Sequence, residues 1–228
     1  MKRLALLAAL SLSSCASGPA APLEIPLLEA TIEASWLQAE RPRVFLHSIV
    51  LDSGGELESR TVGSAAVGSL NNYATIVSTV TVEEQVRDAM VRALRAHRVL
   101  APEAEGSAYA MVVLVNQFSV REFVTGGSPE HSRASVAYDV LVRDAAGTLC
   151  FAREIEARVV SESSWSDATS LNEPTLRQAM RETLDTLFAD ASFRALFEPL
   201  PTAAEPVVGT EAASQPSDAA SEEPPLPL

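Results

Sequence analysis

Lysine is almost missing from this chain. Lys2 is the only one, so a Ser-x-x-Lys nucleophile has no lysine to draw on in the body of the protein. Histidine is scarce as well, and His47, His97 and His131 stand far apart. No His-Glu-x-x-His pattern and no cysteine pair offers a zinc site. No Gly-x-Ser-x-Gly elbow occurs. Val62-Gly63-Ser64-Ala65-Ala66-Val67-Gly68 carries glycines, yet no lysine follows, so it is neither a phosphate loop nor a dinucleotide fingerprint. Glu83-Glu84 and Glu154/Glu156 fall where helix capping and solvation explain them. Catalysis is therefore not expected, and neither a metal nor a cofactor. A periplasmic hydrolase would need a Ser/His/Asp or metal cluster that only the fold assembles.

Long apolar runs are lacking too. Leu4 to Leu12 is the apolar stretch behind Met1-Lys2-Arg3. It falls short of the roughly 20 residues a transmembrane helix needs. A positive start, a short apolar run and small residues after it read as a cleaved secretory leader. Leu12-Ser13-Ser14-Cys15 closes that run. It resembles a bacterial lipobox, which makes Cys15 the first residue of the mature protein and its lipidation site. Each buried CH2 contributes roughly 0.8 kcal/mol, so two or three acyl chains hold firmly. Ala16 and Ser17 follow. No Asp stands there as an inner-membrane retention signal, which points to the outer membrane, facing the periplasm. Lipidation would leave Cys150 without a partner, because the chain has only two cysteines.

Positive charge is in deficit. The formal net charge is −13, which argues against nucleic acid. It argues equally against docking on anionic headgroups by overall charge, so the acyl chains are expected to supply the membrane attachment.

The chain divides into a leader (1–14), a tether (15–40), a folded domain (41–199) and an acidic Pro-rich tail (200–228). The tail carries no aromatic or basic residue and reads as disordered. Trp36 and Leu37 are expected to dock on the body. Within the domain, 43–51 reads as a strand, with His47 as a hydrogen-bonded core residue. Residues 56–79 read as irregular or strand-like, with 73–80 extended. Thr81-Val82-Glu83-Glu84 is a capping box. Behind it Val82, Val86, Met90, Ala93 and Leu94 follow at helical spacing. That helix ends near His97-Arg98, with cations at its negative end.

Residues 109–124 are apolar on both faces at their start, which suits a central strand. Ala134, Val136, Tyr138, Val140 and Val142 alternate in the next one. Asp144-Ala145-Ala146-Gly147 reads as a hairpin turn. Leu149, Phe151, Ile155, Ala157 and Val159 then alternate with Cys150, Glu154, Glu156 and Arg158. Arg153 interrupts the apolar series, which places it near an edge. Trp165 lies in a polar loop as a candidate partner contact, with packing on the sheet edge the plainer reading. Asn172 is expected to cap a closing helix with the stripe Leu176, Met180, Leu184, Leu187 and Phe188. Asp190 is expected to cap a further turn.

The expected fold is α+β, in the order β-α-β-β-β-α: a mostly antiparallel sheet of about four strands, two helices on one face, on a lipid tether. The lipobox, Arg60-Thr61-Val62-Gly63, the helix from Val82 to Leu94 and the closing run Leu176 to Phe197 resemble the YajG-type outer-membrane lipoproteins. More distantly they resemble the LptE/PqiC-like lipoproteins that accompany ABC transport. That resemblance implies no catalytic residues. It implies an envelope module that binds a partner protein or lipid in biogenesis or transport. The other class open to it is a structural or stress-related envelope lipoprotein with no specific ligand.

Overall fold

The computed structural model describes residues 21–29, 41–52, 60–67, 72–123, 130–163 and 169–198. Cys15, Trp36 and Trp165, the leader and the tail lie outside the described residues. Among the described residues seven strands and three helices follow in order: β1 (Leu23–Ile25), β2 (Val44–Leu51), β3 (Thr61–Val67), β4 (Asn72–Ser78), α1 (Val82–Ala96), β5 (Tyr109–Phe123), β6 (Glu130–Asp144), β7 (Leu149–Ser163), α2 (Thr169–Ala189) and α3 (Ala191–Ala195). They form one sheet in the order β1-β4-β3-β5-β6-β7, with β2 also paired to β5.

The α+β class holds, but the sheet has seven strands where about four were expected. It is also less antiparallel. β3–β4, β5–β6 and β6–β7 are antiparallel, whereas β1–β4, β2–β5 and β3–β5 are parallel. The reason is that β2 and β3 run in series along one edge of β5. β2 takes Tyr109 to Val115, and β3 takes Val120 and Arg121. β4 and α1 then return the chain to the end where β2 began, and Val44 bridges Leu100 there. A strand entered after such a crossover runs parallel to the first.

The capping box is present: Thr81 accepts from the Glu84 N–H at 3.2 Å, and Glu84 accepts from the Thr81 N–H at 2.9 Å. α1 buries Val82, Val86, Ala89, Met90, Ala93 and Leu94, and also Gln85. Gln85 is a polar node. Its Oε1 accepts from the Leu28 N–H at 2.8 Å, and its Nε2 donates to the Pro26 carbonyl at 3.0 Å and to Ser78 Oγ at 2.8 Å. One amide thus joins α1, the end of β4 and the chain after β1. Buried polar groups left unmade cost about 1–3 kcal/mol each, so this node fixes the N-terminal segment firmly.

β6 and β7 alternate as their sequences suggest. Ala134, Val136, Tyr138, Val140 and Val142 are buried, as are Phe151, Ile155, Ala157 and Val159. They face Leu176, Ala179, Met180, Leu184, Leu187 and Phe188 of α2 in one core that α1 shares. The hairpin turn stands where expected. Asp144 Oδ1 accepts from the N–H groups of Ala146 and Thr148, and Gly147 takes a φ of 84°. Leu149 departs from the expectation and is exposed. It faces Arg143 across a register shift at the end of the hairpin. Arg153 lies on β7, an edge strand, and reaches Asp190.

Two bulges reset the alternation. In β2 the register shifts between Leu46 and Ser48, so Val44, Leu46 and Ile49 are buried and His47 is exposed. The expected core histidine is thereby corrected. In β5 the shift between Val115 and Gln117 moves the core face from odd to even positions, where Phe118, Val120 and Glu122 are buried. A bulge inserts one unpaired residue and flips all that follows.

α2 begins at Thr169, so Asn172 is not its cap and Pro174 lies inside the helix. Asn172 is buried instead. Its Oδ1 accepts from Ser132 Oγ at 2.8 Å, and its Nδ2 donates to Glu122 Oε2 at 3.4 Å. The side chain serves the core rather than a helix end. Asp190 does cap α3: its carboxylate accepts from the N–H groups of Ser192 and Phe193.

His97 caps α1 but is no cation. It is buried and stacks on Phe188, ring centroids 4.3 Å apart. Burial lowers its pKa, more than the Asp185 carboxylate raises it, and Arg194 and Arg41 lower it further. The unfolded chain takes the proton near pH 6.5, before the folded one does. Stability from this group is therefore complete above that pH and is lost as pH falls through it. Urea unfolding from pH 7.5 to 5.5 should show the wild type losing up to about 1.4 kcal/mol per pH unit more than His97→Phe. Parallel curves for the two proteins would refute this.

Candidate functional site

The helices cover one face of the sheet. On the other, the side chains of β5, β6 and β7 point outward in register rows. Gln117 faces Ala137, and Ala137 faces Glu156. Ser119 faces Ser135, and Ser135 faces Arg158. Arg121 faces Arg133, and Arg133 faces Val160. The face is not flat. Its floor is made of small residues, Gly63 and Ala137, where β3 meets the β5 bulge. Around them Thr61, Asn116, Gln117, Ser119, Glu154, Glu156 and Arg158 border a depression of about 550 Å³. An adjoining depression of about 530 Å³ is bordered by Gln117, Arg133, Ser135, Arg158 and Val160. Gln117 and Arg158 belong to both.

Gly63 makes the first depression. A Cβ there would overlap the Val120 carbonyl oxygen. Only a residue without a side chain lets β3 approach β5 this closely.

The electrostatics are mixed. Arg158 pairs with Glu156 on its own strand. At the far end His131 lies 3.6 Å from Glu162. Between them Arg121 and Arg133 both stand over the Phe123 ring, each guanidinium carbon 5.3 Å from its centroid. Phe123 and Val160 are 37% and 53% exposed, apolar surface beside the charges.

Other candidates do not gather. His47 is exposed on β2, His97 is buried at the end of α1, and His131 is at the start of β6. Cys150 is free and exposed, its Sγ 3.5 Å from the Thr148 carbonyl. Glu83 and Glu84 occupy the first turn of α1. Glu154 and Glu156, read from sequence as merely solvated, border the first depression. Among the described residues no group of three or more His, Cys, Asp or Glu could hold a metal ion. Among them, too, no helix is long and apolar enough to cross a membrane.

Gln117, Arg121, Phe123 and Arg133 were not singled out from the sequence. The signal was the polar alternation Gln117-x-Ser119-x-Arg121 and Arg133-x-Ser135. Only the register shows that the two arginines meet.

The arrangement is that of an α+β sheet-and-helix domain with one sheet face that none of its described helices covers. Its fold is shared with a crystal structure of protein XCC0632 from Xanthomonas campestris, of the DUF330 family. The two are 15% identical, the match covers 72% of this chain and 91% of that one, and the TM-score is 0.52. That likeness is one of fold. Weaker likenesses, below the level that bears on the fold, connect a candidate lipoprotein from Caulobacter crescentus and a minor lipoprotein from Acinetobacter baumannii. The first is 18% identical over 58% of this chain and 88% of that one, TM-score 0.38. The second is 10% identical over 67% and 92%, TM-score 0.38. No family model matches the chain, and no curated protein matches it.

Proposed function

We propose that this chain is a non-enzymatic envelope lipoprotein. In this reading lipid on Cys15 holds it to the periplasmic face of the outer membrane. The bare face of its sheet binds a partner protein or a lipid in envelope biogenesis or lipid transport. Kinship with the YajG-type lipoproteins, and more distantly with LptE/PqiC-like auxiliaries, belongs to the same proposal, and so does Trp165 as a partner contact. The observation that carries the binding role is the face of β5, β6 and β7 that no described helix covers. It bears two depressions and exposed Phe123 and Val160. Exposed apolar surface rimmed by polar groups marks interaction sites.

The test uses photo-crosslinking residues in the full chain, expressed in a bacterial envelope. They are placed at Gln117 or Glu156 on the bare face, and at Gln178 on the exposed side of α2. Adducts from the bare face and not from Gln178 are the expected result. No adduct from the bare face, or equal capture from both, would count against the proposal. Intact mass of the same protein and of Cys15→Ala reads the anchor, since acyl mass should be present in the first and lost in the second.

A further inference from the structure

We propose that Arg121, Arg133 and Arg158 form a binding site for a phosphate group on the bare face of the sheet. The inference rests on that face being a binding surface and names its ligand chemistry.

The placement of the first two arginines is costly in an empty protein. They are direct partners across the β5–β6 ladder, and like charges placed opposite each other destabilise a sheet. The chain has 30 acidic residues against 17 basic ones, so carboxylates are plentiful. Yet neither Arg121 nor Arg133 forms an ion pair among the described residues. Both guanidinium groups instead flank the Phe123 ring. Contact with an aromatic face steadies a guanidinium without using up its N–H donors.

The neighbouring rows complete the site. Ser119 and Ser135 face each other one row along, and Arg158 faces Ser135. Arg133, Ser135, Arg158 and Gln117 border one depression of about 530 Å³. The Arg133 and Arg158 guanidinium groups, the Ser135 hydroxyl and the Gln117 amide there, with Arg121 and Ser119 facing Arg133 and Ser135 from β5, supply more donors than a carboxylate's two oxygens can accept, even with one Arg158 N–H given to Glu156. A tetrahedral phosphate, with up to four oxygens, matches them better. Glu156, already paired to Arg158, limits the site on one side. Glu162, beside His131, limits it on the other. The overall charge of −13 does not forbid this, because exposed charges more than about 10 Å away are largely screened. The phosphate could come from a lipid headgroup or a free phosphate. Phe123 and Val160 offer apolar contact beside it.

The full chain is titrated at constant ionic strength with inorganic phosphate and, separately, with dihexanoyl phosphatidylglycerol below its micelle concentration. Binding is read by calorimetry. The same titrations are run on Arg121→Gln/Arg133→Gln and on Arg158→Gln, whose thermal midpoints should be no lower than the wild type's, because these side chains are exposed and the double variant removes a like-charge pair. Saturable binding that weakens about tenfold or more in either variant is the expected result. Binding of both probes identifies the phosphate group itself as the ligand. Binding of the lipid alone identifies a headgroup held with help from the apolar rim. No saturable binding of either probe, or binding unchanged in both variants, would overturn the site. Capture of an envelope partner through Gln117 or Glu156 in that event would leave the broader function standing.

Discussion

Phe193→Ala is expected to lower stability by about 4 kcal/mol, the usual cost of emptying a phenylalanine site in a core. Phe193 is fully buried although it sits on a helix of five residues. Among the described residues its ring meets Phe151 at 5.3 Å, Phe188 at 5.4 Å and Phe197 at 5.2 Å between centroids, edge-on or tilted. So short a helix does not persist by itself. It is held by this aromatic cluster and by its Asp190 cap. The Asp190 carboxyl is held below its ordinary range, first by the Ser192 hydroxyl, then by the Phe193 and Ser192 N–H groups and the Arg153 guanidinium. Losing the ring therefore releases α3 and exposes the end of α2 as well. A domain of this kind is stable by only 5–15 kcal/mol, so the loss is severe. Urea unfolding is the check, with half-buried Leu196→Ala as the milder control. A shift below about 1 kcal/mol for Phe193→Ala would refute the reading.

Gly63→Ala should cost about 3 kcal/mol, at the upper end for forcing one carbon into a packed site. The added Cβ would overlap the carbonyl oxygen of Val120, which is backbone and has no rotamer to change. Either β3 moves away from β5 or the chain distorts at the bulge. β3 carries β4, and β4 carries β1, so three strands depend on this contact. Ser64→Ala one residue along should be nearly neutral, since Ser64 is only half-buried. Thermal unfolding of the two variants side by side makes the comparison. Equal midpoints for both would show that the close approach is not needed.

The helices and the long hairpin were legible because their signals are local. Thr81 and Glu84 announce a helix start within four residues. Asp144 to Gly147 announces a turn, and Val136, Tyr138 and Val140 declare a half-buried strand. What was not legible depends on partners distant in sequence. Thr61 to Val67 is mostly small residues and reads as irregular or strand-like; pairing with β4 along its length, and with β5 at Gly63 and Ser64, makes it a strand. The bulges at His47 and Asn116 leave no mark in composition, yet they decide that His47 faces out and that Glu122 faces in. Asn172 has the chemistry of a cap, and nothing nearby in sequence says that Ser132 and Glu122 claim it. For the candidate site the polar face was visible and its rows were not. Arg121 and Arg133 lie 12 positions apart, and register alone brings them opposite.

β1 is three residues long and, among the described residues, joins the sheet through β4 alone. It is the shortest strand among the described residues, and it lies nearest in sequence to Cys15. Tension arriving from that end would meet this seam before any other, with Gln85 acting as the rivet behind it. The 15-residue strands β5, β6 and β7 lie further along, clamped to one another over nearly their whole length. If Cys15 carries the anchor proposed above, β1 would be the first piece of the sheet to peel away under load, while the three long strands beyond it keep their shape.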